Sequence, residues 1–144
     1  MDIETLRSRM SPDTVEFADR VMDMYNAPYA RDAGIEISSI SRDEVVCTME
    51  LKPHQMNSHG RAHGAAIYVL LDHTFAIATN LTKDCTGQNT NVSFHRPGFG
   101  KLTAVATPIN RSRSLEIYDV RVMNEDGKLV ASSVCTAFVL KKEE

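Results

Sequence analysis

The sequence predicts an α+β fold, one antiparallel sheet packed by a single long helix, and three observations carry that reading. Residues 62–80, AHGAAIYVLLDHTFAIATN, form a long apolar stretch with helical spacing. Period-two alternation marks strands on both sides of it. The strands that follow are joined by short turns rather than helical crossovers, which favours antiparallel pairing with the helix laid on one face. At 144 residues, without internal repeats or linker-like composition, the chain reads as a single domain, 1–144, with residues 1–30 as an N-terminal helical extension.

The elements follow in order. Ser11-Pro12-Asp13 offers a helix start, and Val15, Phe17, Ala18, Val21, Met22 and Met24 continue at rough helical spacing to about Tyr25. Ile35 and Ile37 alternate next, then Val45, Cys47, Met49 and Leu51, until Pro53 closes the second strand. After the central helix come NTNVSFHR, ended by Pro97-Gly98, and Leu102, Ala104 and Ala106 up to Pro108. In the following strand Leu115 and Ile117, then Val120 and Val122, point inward, with a change of face expected near Tyr118-Asp119. The turn Asn124 to Gly127 leads into LVASSVCTAFVL and completes a long hairpin.

Hydrophobic content of 42%, charged content of 24% and a net charge of -3 describe an ordinary globular chain with no basic excess, so nucleic acid is not an expected partner. MDIETLRSRM lacks a signal-peptide pattern and Asp72 and His73 interrupt the longest apolar run; neither secretion nor membrane insertion is indicated, and a cytoplasmic location is expected. Three widely spaced cysteines argue against disulfides: Cys47 and Cys135 belong to strand patterns and pack, while Cys85 reads as a possible exposed thiol in a polar loop. His54, His59 and His63 lack a Cys or Glu partner at a recognised ligand spacing, so no metal is expected.

The central helix carries the functional signal. At 100° per residue, Ile67, Leu70, Leu71, Thr74 and Ala78 form the face for the sheet, with Phe75 at its margin. Asp72 lies elsewhere, among Ala65, Tyr68, Val69 and Ala76, and it is the one formal charge between His63 and Thr82. A solvated face ordinarily carries Lys, Glu or Arg, so something besides the sheet covers this one. A carboxylate there is either satisfied by hydroxyls at an interface or retained for chemistry.

Upstream, Asn57, Gly60 and Gly64 flank the helix start, where unpaired N–H groups and the positive dipole end can hold a developing oxyanion; a plain helix cap explains the same letters. Gly64 and Asp72 are eight residues apart, about 12 Å along the axis, too far to meet at one carbonyl. Two copies pairing their central helices antiparallel about a two-fold axis would bring the start of one beside the middle of the other, giving two shared sites per dimer.

NSHGRAHGA (57–65), the helix with Asp72, and then NTNVSFHRPG, INRSRSLEIYDVRV and NEDGKLVASS together resemble the hotdog-fold acyl-CoA thioesterases of the phenylacetyl-CoA type, from about Ile35 to Leu140. The resemblance implies a sheet wrapped around the central helix, a homodimer often assembled into a homotetramer, and hydrolysis of an acyl-CoA thioester to a carboxylic acid and CoA. No cofactor is implied, since CoA is part of the substrate. Carried over by position, the resemblance puts the catalytic carboxylate on Asp72 and the oxyanion-hole amide on Gly64 of the opposite subunit. It also gives Asn57 a role in orienting substrate or water, and makes His63 the histidine preceding the glycine. The usual His-Gly-Gly reads His63-Gly64-Ala65 here, so the Ala65 methyl is expected to narrow the acyl pocket, with Tyr68, His73 and Phe75 as further shapers. Arg96, Lys101, Arg111 and Arg113 are read as a cluster near strand ends for the anionic CoA nucleotide, Arg111 and Arg113 above all. A non-catalytic acyl-CoA-binding hotdog protein and a hotdog hydratase or dehydratase stay open as alternatives.

Overall fold

Three short helices, α1 (Ile3–Ser8), α2 (Ala18–Tyr25) and α3 (Pro28–Ala33), precede β1 (Ile35–Ile40) and β2 (Val45–Glu50). The long helix α4 (Gly64–Thr79) follows, and then β3 (Asp84–Phe94), β4 (Lys101–Arg111), β5 (Leu115–Met123) and β6 (Leu129–Lys141). This computed structural model describes residues 1–141. Every strand pairing is antiparallel, in the order β1-β2-β4-β5-β6-β3, and α4 packs across the middle of the sheet. Among the described residues no helix is long and apolar enough to cross a membrane.

Burial explains why α4 lies where it does. Ile67, Leu70, Leu71, Thr74 and Phe75 are buried against a sheet that presents Cys47 and Met49 from β2, Ala104 and Ala106 from β4, and Val120 and Val122 from β5. The two alanines let the helix approach closely, and each fully buried leucine contributes about 1.5–3 kcal/mol of transfer energy. Thr74 stays inside because its hydroxyl donates to the Leu70 carbonyl at 2.7 Å. Phe75, expected at the margin, is fully inside, its ring edge-on to Tyr118 at 5.9 Å, whereas Ala78 is only half-buried.

The N-terminal region departs from a single helix over 11–25. The Ser11 hydroxyl bonds Asp13 and Thr14, turning the chain before a 3-10 turn at Val15–Phe17, and the α-helix proper starts at Ala18. Two further helices escape periodicity because each is six residues long. Their punctuation was nonetheless present: the Asp2 carboxylate caps α1 by accepting from the Thr5 amide at 2.7 Å, and Pro28 opens α3, which left-handed Gly34 closes.

The strands bring two corrections. β3 begins at Asp84, so Cys85 is a half-buried strand residue rather than part of a polar loop, and burial pushes its thiol up to about 11. β5 keeps one face throughout: Glu116, Tyr118, Val120 and Val122 are inside, and Leu115 and Ile117 lie on the outer face. Polar residues can occupy the inner face because Lys83 lies 3.3 Å from Glu116 and the Tyr118 hydroxyl accepts from Arg111. The expected irregularity falls instead in the β4–β5 pairing between Pro108 and Asn110, where the proline has no N–H for the ladder.

Candidate active site

The start of α4 is built by its own side chains. His63 sits extended at the N-cap, and its Nδ1 accepts from the Ala65 amide at 3.0 Å, which requires an unprotonated Nδ1. The His63 carbonyl accepts from the amides of Ala66 and Ile67. Among the described residues this leaves the Gly64 amide as the first-turn N–H without a partner. The loop before it is folded by Asn57, whose Oδ1 accepts from the amides of His59 at 2.9 Å and Arg61 at 3.2 Å. The Asn57 side-chain oxygen is therefore structural, and its amide nitrogen keeps its donors. Gly60, at φ +69, makes the turn that ties this loop.

Asp72 emerges on the stripe of α4 that the chain leaves uncovered. Ala65, Tyr68 and Asp72 are exposed, and Gly64, Val69 and Ala76 are half-buried. Tyr68 is 39% exposed, unusual for an aromatic ring in the middle of a central helix. Asp72 has no hydrogen bond or ion pair among the described residues; its carboxyl nevertheless lies above the ordinary Asp range because the surrounding protein partly desolvates it. A concavity of about 400 Å³ between α4 and β3 holds Asp72, Tyr68 and Phe75, with Thr90 of β3 opposite. Phe94, also on β3, lies against the helix start, where a Cβ built on Gly64 would stand 3.5 Å from its ring. Thr90 and Phe94 escaped the sequence reading because only the β3–β6 register decides which side of an edge strand faces α4.

His73 faces the other way, under the N-terminal helices. Burial lowers its pKa below 6.5, the charge of Arg31 lowers it further, and a hydrogen bond to the Met24 carbonyl opposes both. It is thus separated from Asp72 although adjacent in sequence. His63 and Ala65 line a different concavity of about 270 Å³ with Tyr29 and Asp32 of the extension, so one chain places the helix start and Asp72 in two separate hollows. His54 joins His63 there, while His59 is exposed in the loop. Among the described residues no group of three or more His, Cys, Asp or Glu is arranged to hold a metal.

The cationic residues do not form one cluster within the chain. Lys101 and Arg111 stand at opposite ends of β4, about 33 Å apart at 3.3 Å per residue. Arg111 is committed to the Tyr118 hydroxyl, the Arg42 carbonyl and Asp43. Arg96 donates to the Leu129 carbonyl at 2.8 Å. Arg113 lies exposed in the β4–β5 turn.

With this geometry in view, the comparisons with known proteins bear on the same residues. Residues 59–131 match the family model described as the thioesterase superfamily, a span holding Gly64, Asp72 and Thr90. The chain belongs to the thioesterase superfamily. Similar proteins include the Escherichia coli acyl-coenzyme A thioesterase PaaI, 32% identical over 114 residues that cover 74% of this chain and 78% of that one. The solved structure of E. coli PaaI, from the phenylacetic acid degradation operon, superposes with a TM-score of 0.85 at 27% identity, covering 90% of this chain and 97% of that one. A Haemophilus influenzae thioesterase superposes at 0.79 with 28% identity, over 85% and 90% of the two chains. The protein is a thioesterase of the PaaI-like hotdog kind, its antiparallel sheet carrying α4 on one face. In this thioesterase the N-terminal helices lie outside the span matched by the family model, yet they cover His73 and wall the hollow beside Ala65.

Proposed function

We propose that this thioesterase hydrolyses an acyl-CoA thioester at sites shared between two copies of the chain, one domain each, with Asp72 of one copy facing the Gly64 amide of the other. The observation that carries this reading is the uncovered stripe of α4, where an unpaired amide and an unpaired carboxylate lie eight residues apart on a surface of small side chains. Antiparallel pairing of two such helices covers both. β3 supports the same arrangement: it is an 11-residue sheet edge without the Lys or Pro that ordinarily blunts an edge, open to a partner strand.

The chemistry follows from these groups. Water hydrogen-bonded to Asp72 attacks the thioester carbonyl and gives its proton to the carboxylate. The carbonyl oxygen gains the negative charge and is held by the Gly64 amide and the α4 dipole. Collapse breaks the C–S bond, and a thiolate of pKa roughly 8.5 leaves without a strong acid behind it. Direct attack by Asp72 through a mixed anhydride satisfies the same geometry. Asn57 keeps its side-chain amide to orient water or substrate, and His63 fixes the turn that presents Gly64. No cofactor enters these steps. Three free cysteines fit a reducing, cytoplasmic setting.

The test is complementation. Gly64 is the first helical residue and His63 is already extended, so Gly64→Pro deletes the amide where proline fits. Asp72→Asn and Gly64→Pro chains, each strongly impaired in thiol release from a panel of acyl-CoAs, should regain activity when refolded together, because the mixed dimer holds one intact site. Activity in a strictly monomeric species, or failure to complement in a proven mixed dimer, sinks the shared site. Tight acyl-CoA binding without thiol release identifies a binding protein instead.

A further inference from the structure

A second polar cavity lies at the C-terminal end of α4, away from Gly64. It encloses about 200 Å³ and is lined by Thr82, Lys83, Arg111, Glu116 and Tyr118, among others. Glu116 is 2% exposed on the inner face of β5, a position where the alternation otherwise places apolar side chains. The Lys83 ammonium is 3.3 Å from Glu116 Oε1, while Oε2 is buried with no hydrogen-bond partner. A buried carboxylate oxygen left unpaired carries its desolvation penalty uncompensated.

The cavity walls define what would satisfy that oxygen. Lys83 uses one of its three donors on Glu116, and the Thr82 hydroxyl makes no hydrogen bond among the described residues. Arg111 is pinned by the Tyr118 hydroxyl at 3.0 Å and by Asp43 at 3.2 Å, which fixes its positive charge at the wall. Three cationic side chains, Arg42, Lys83 and Arg111, line the cavity with one carboxylate, Glu116, while Asp13 and Asp43 pair the two arginines from outside the lining. Such a wall attracts an anion, but Glu116 Oε2 admits only a ligand atom that brings a proton. Both requirements meet in an oxyanion that retains a hydrogen. Inorganic phosphate keeps at least one P–OH throughout the neutral range, and a phosphomonoester, with a second pKa near 6, keeps one in part of its molecules at pH 6.5; sulfate, of the same shape, keeps none.

We propose that this cavity binds a phosphate group, its oxygens held by Lys83 and Thr82 beside Arg111, its P–OH donated to Glu116 Oε2. The residues are separate from Asp72 and Gly64, so the site stands or falls independently of the hydrolytic one.

Calorimetric titration of the full chain at pH 6.5 with inorganic phosphate or sulfate, at matched ionic strength, tests it. Saturable phosphate binding at least tenfold tighter than sulfate is expected. Glu116→Gln, whose amide donates to either anion, should narrow that preference to threefold or less, and Lys83→Met should weaken both anions at least tenfold. Equal affinity for the two anions in the unaltered protein, or no saturable heat because the cavity holds only water, overturns the proposal without recourse to any variant. An unchanged preference in folded Glu116→Gln overturns it as well. Competition separates the sources of the phosphate. Displacement by CoA but not by its 3′-dephospho form assigns the site to a phosphomonoester of the nucleotide, and displacement by neither assigns it to free phosphate; each retains Glu116 as the P–OH acceptor.

Discussion

Two faces of α4, on the same sixteen residues, are made on opposite principles. The sheet face is large, branched and dry: Ile67, Leu70, Leu71 and Phe75 fill the space above β2, β4 and β5. The other face is small and open, with Ala65, Ala76 and the half-buried Gly64 around an exposed Tyr68 and an unpaired Asp72. The first face makes the chain fold, and its residues could be exchanged for others of equal volume. The second contributes little to folding within the chain and presents the groups proposed to react. A helix apolar almost all round is thus no proof of one deep core: within the chain only one face of α4 is buried.

The comparison breaks most sharply at Asp72. Asp72→Asn keeps the shape and removes the proposed base, so kcat for thiol release should fall about 10³-fold while the circular dichroism spectrum stays the same. Removing the Gly64 amide with Gly64→Pro should cost about 10²-fold in kcat, with the helix retained. On the sheet face the readout reverses. Leu71→Ala should destabilise the protein by about 3 kcal/mol in urea denaturation, through lost transfer energy and a residual cavity, without a selective loss in the chemical step.

The effects of pH sharpen the contrast further. Because burial raises the Asp72 pKa above 3.8, the acid limb of kcat/KM should have its midpoint above that of an exposed aspartate. The same shift means the folded state holds the Asp72 proton more tightly than the unfolded state does. That stabilisation is complete below pH 3.8 and is lost as pH rises through the raised value, so Asp72→Asn should be no less stable than the parent at pH 7. His73 has the opposite sign. Its folded pKa lies below 6.5, so stability should fall as pH drops from 6.5 through that lowered value, and His73→Gln should flatten this part of the profile in urea titrations. The smallest effect is expected at Ala65. Ala65→Gly restores the His-Gly-Gly pattern, and kcat/KM should move by no more than about threefold against a helix-propensity cost of about 0.5–1 kcal/mol.

Much of this was legible in the letters. Alternation located part of every strand, though not the first residues of β3, and the absence of any other charge between His63 and Thr82 singled out Asp72. The unread parts share a cause. Glu116 points inward in β5 because Lys83 comes to meet it from before β3, and Tyr118 because Arg111 reaches it across the β4–β5 turn, and no alternation pattern announces such partners. The four cations read as a cluster are spread by the length of β4, and two of them, Arg96 and Arg111, are drawn into separate contacts. Thr90 and Phe94 look like ordinary strand residues until register turns them toward α4.

By itself, then, the sequence determined what depends on periodicity and short-range chemistry: the order of the elements, the buried stripe of the long helix and the eight-residue separation of Gly64 from Asp72. Tertiary structure alone decided which side of β3 faces the helix and how a carboxylate comes to be buried at Glu116. Those outcomes depend on groups far apart in the chain arriving at one place, and hydrogen bonding at that range leaves no period in the sequence.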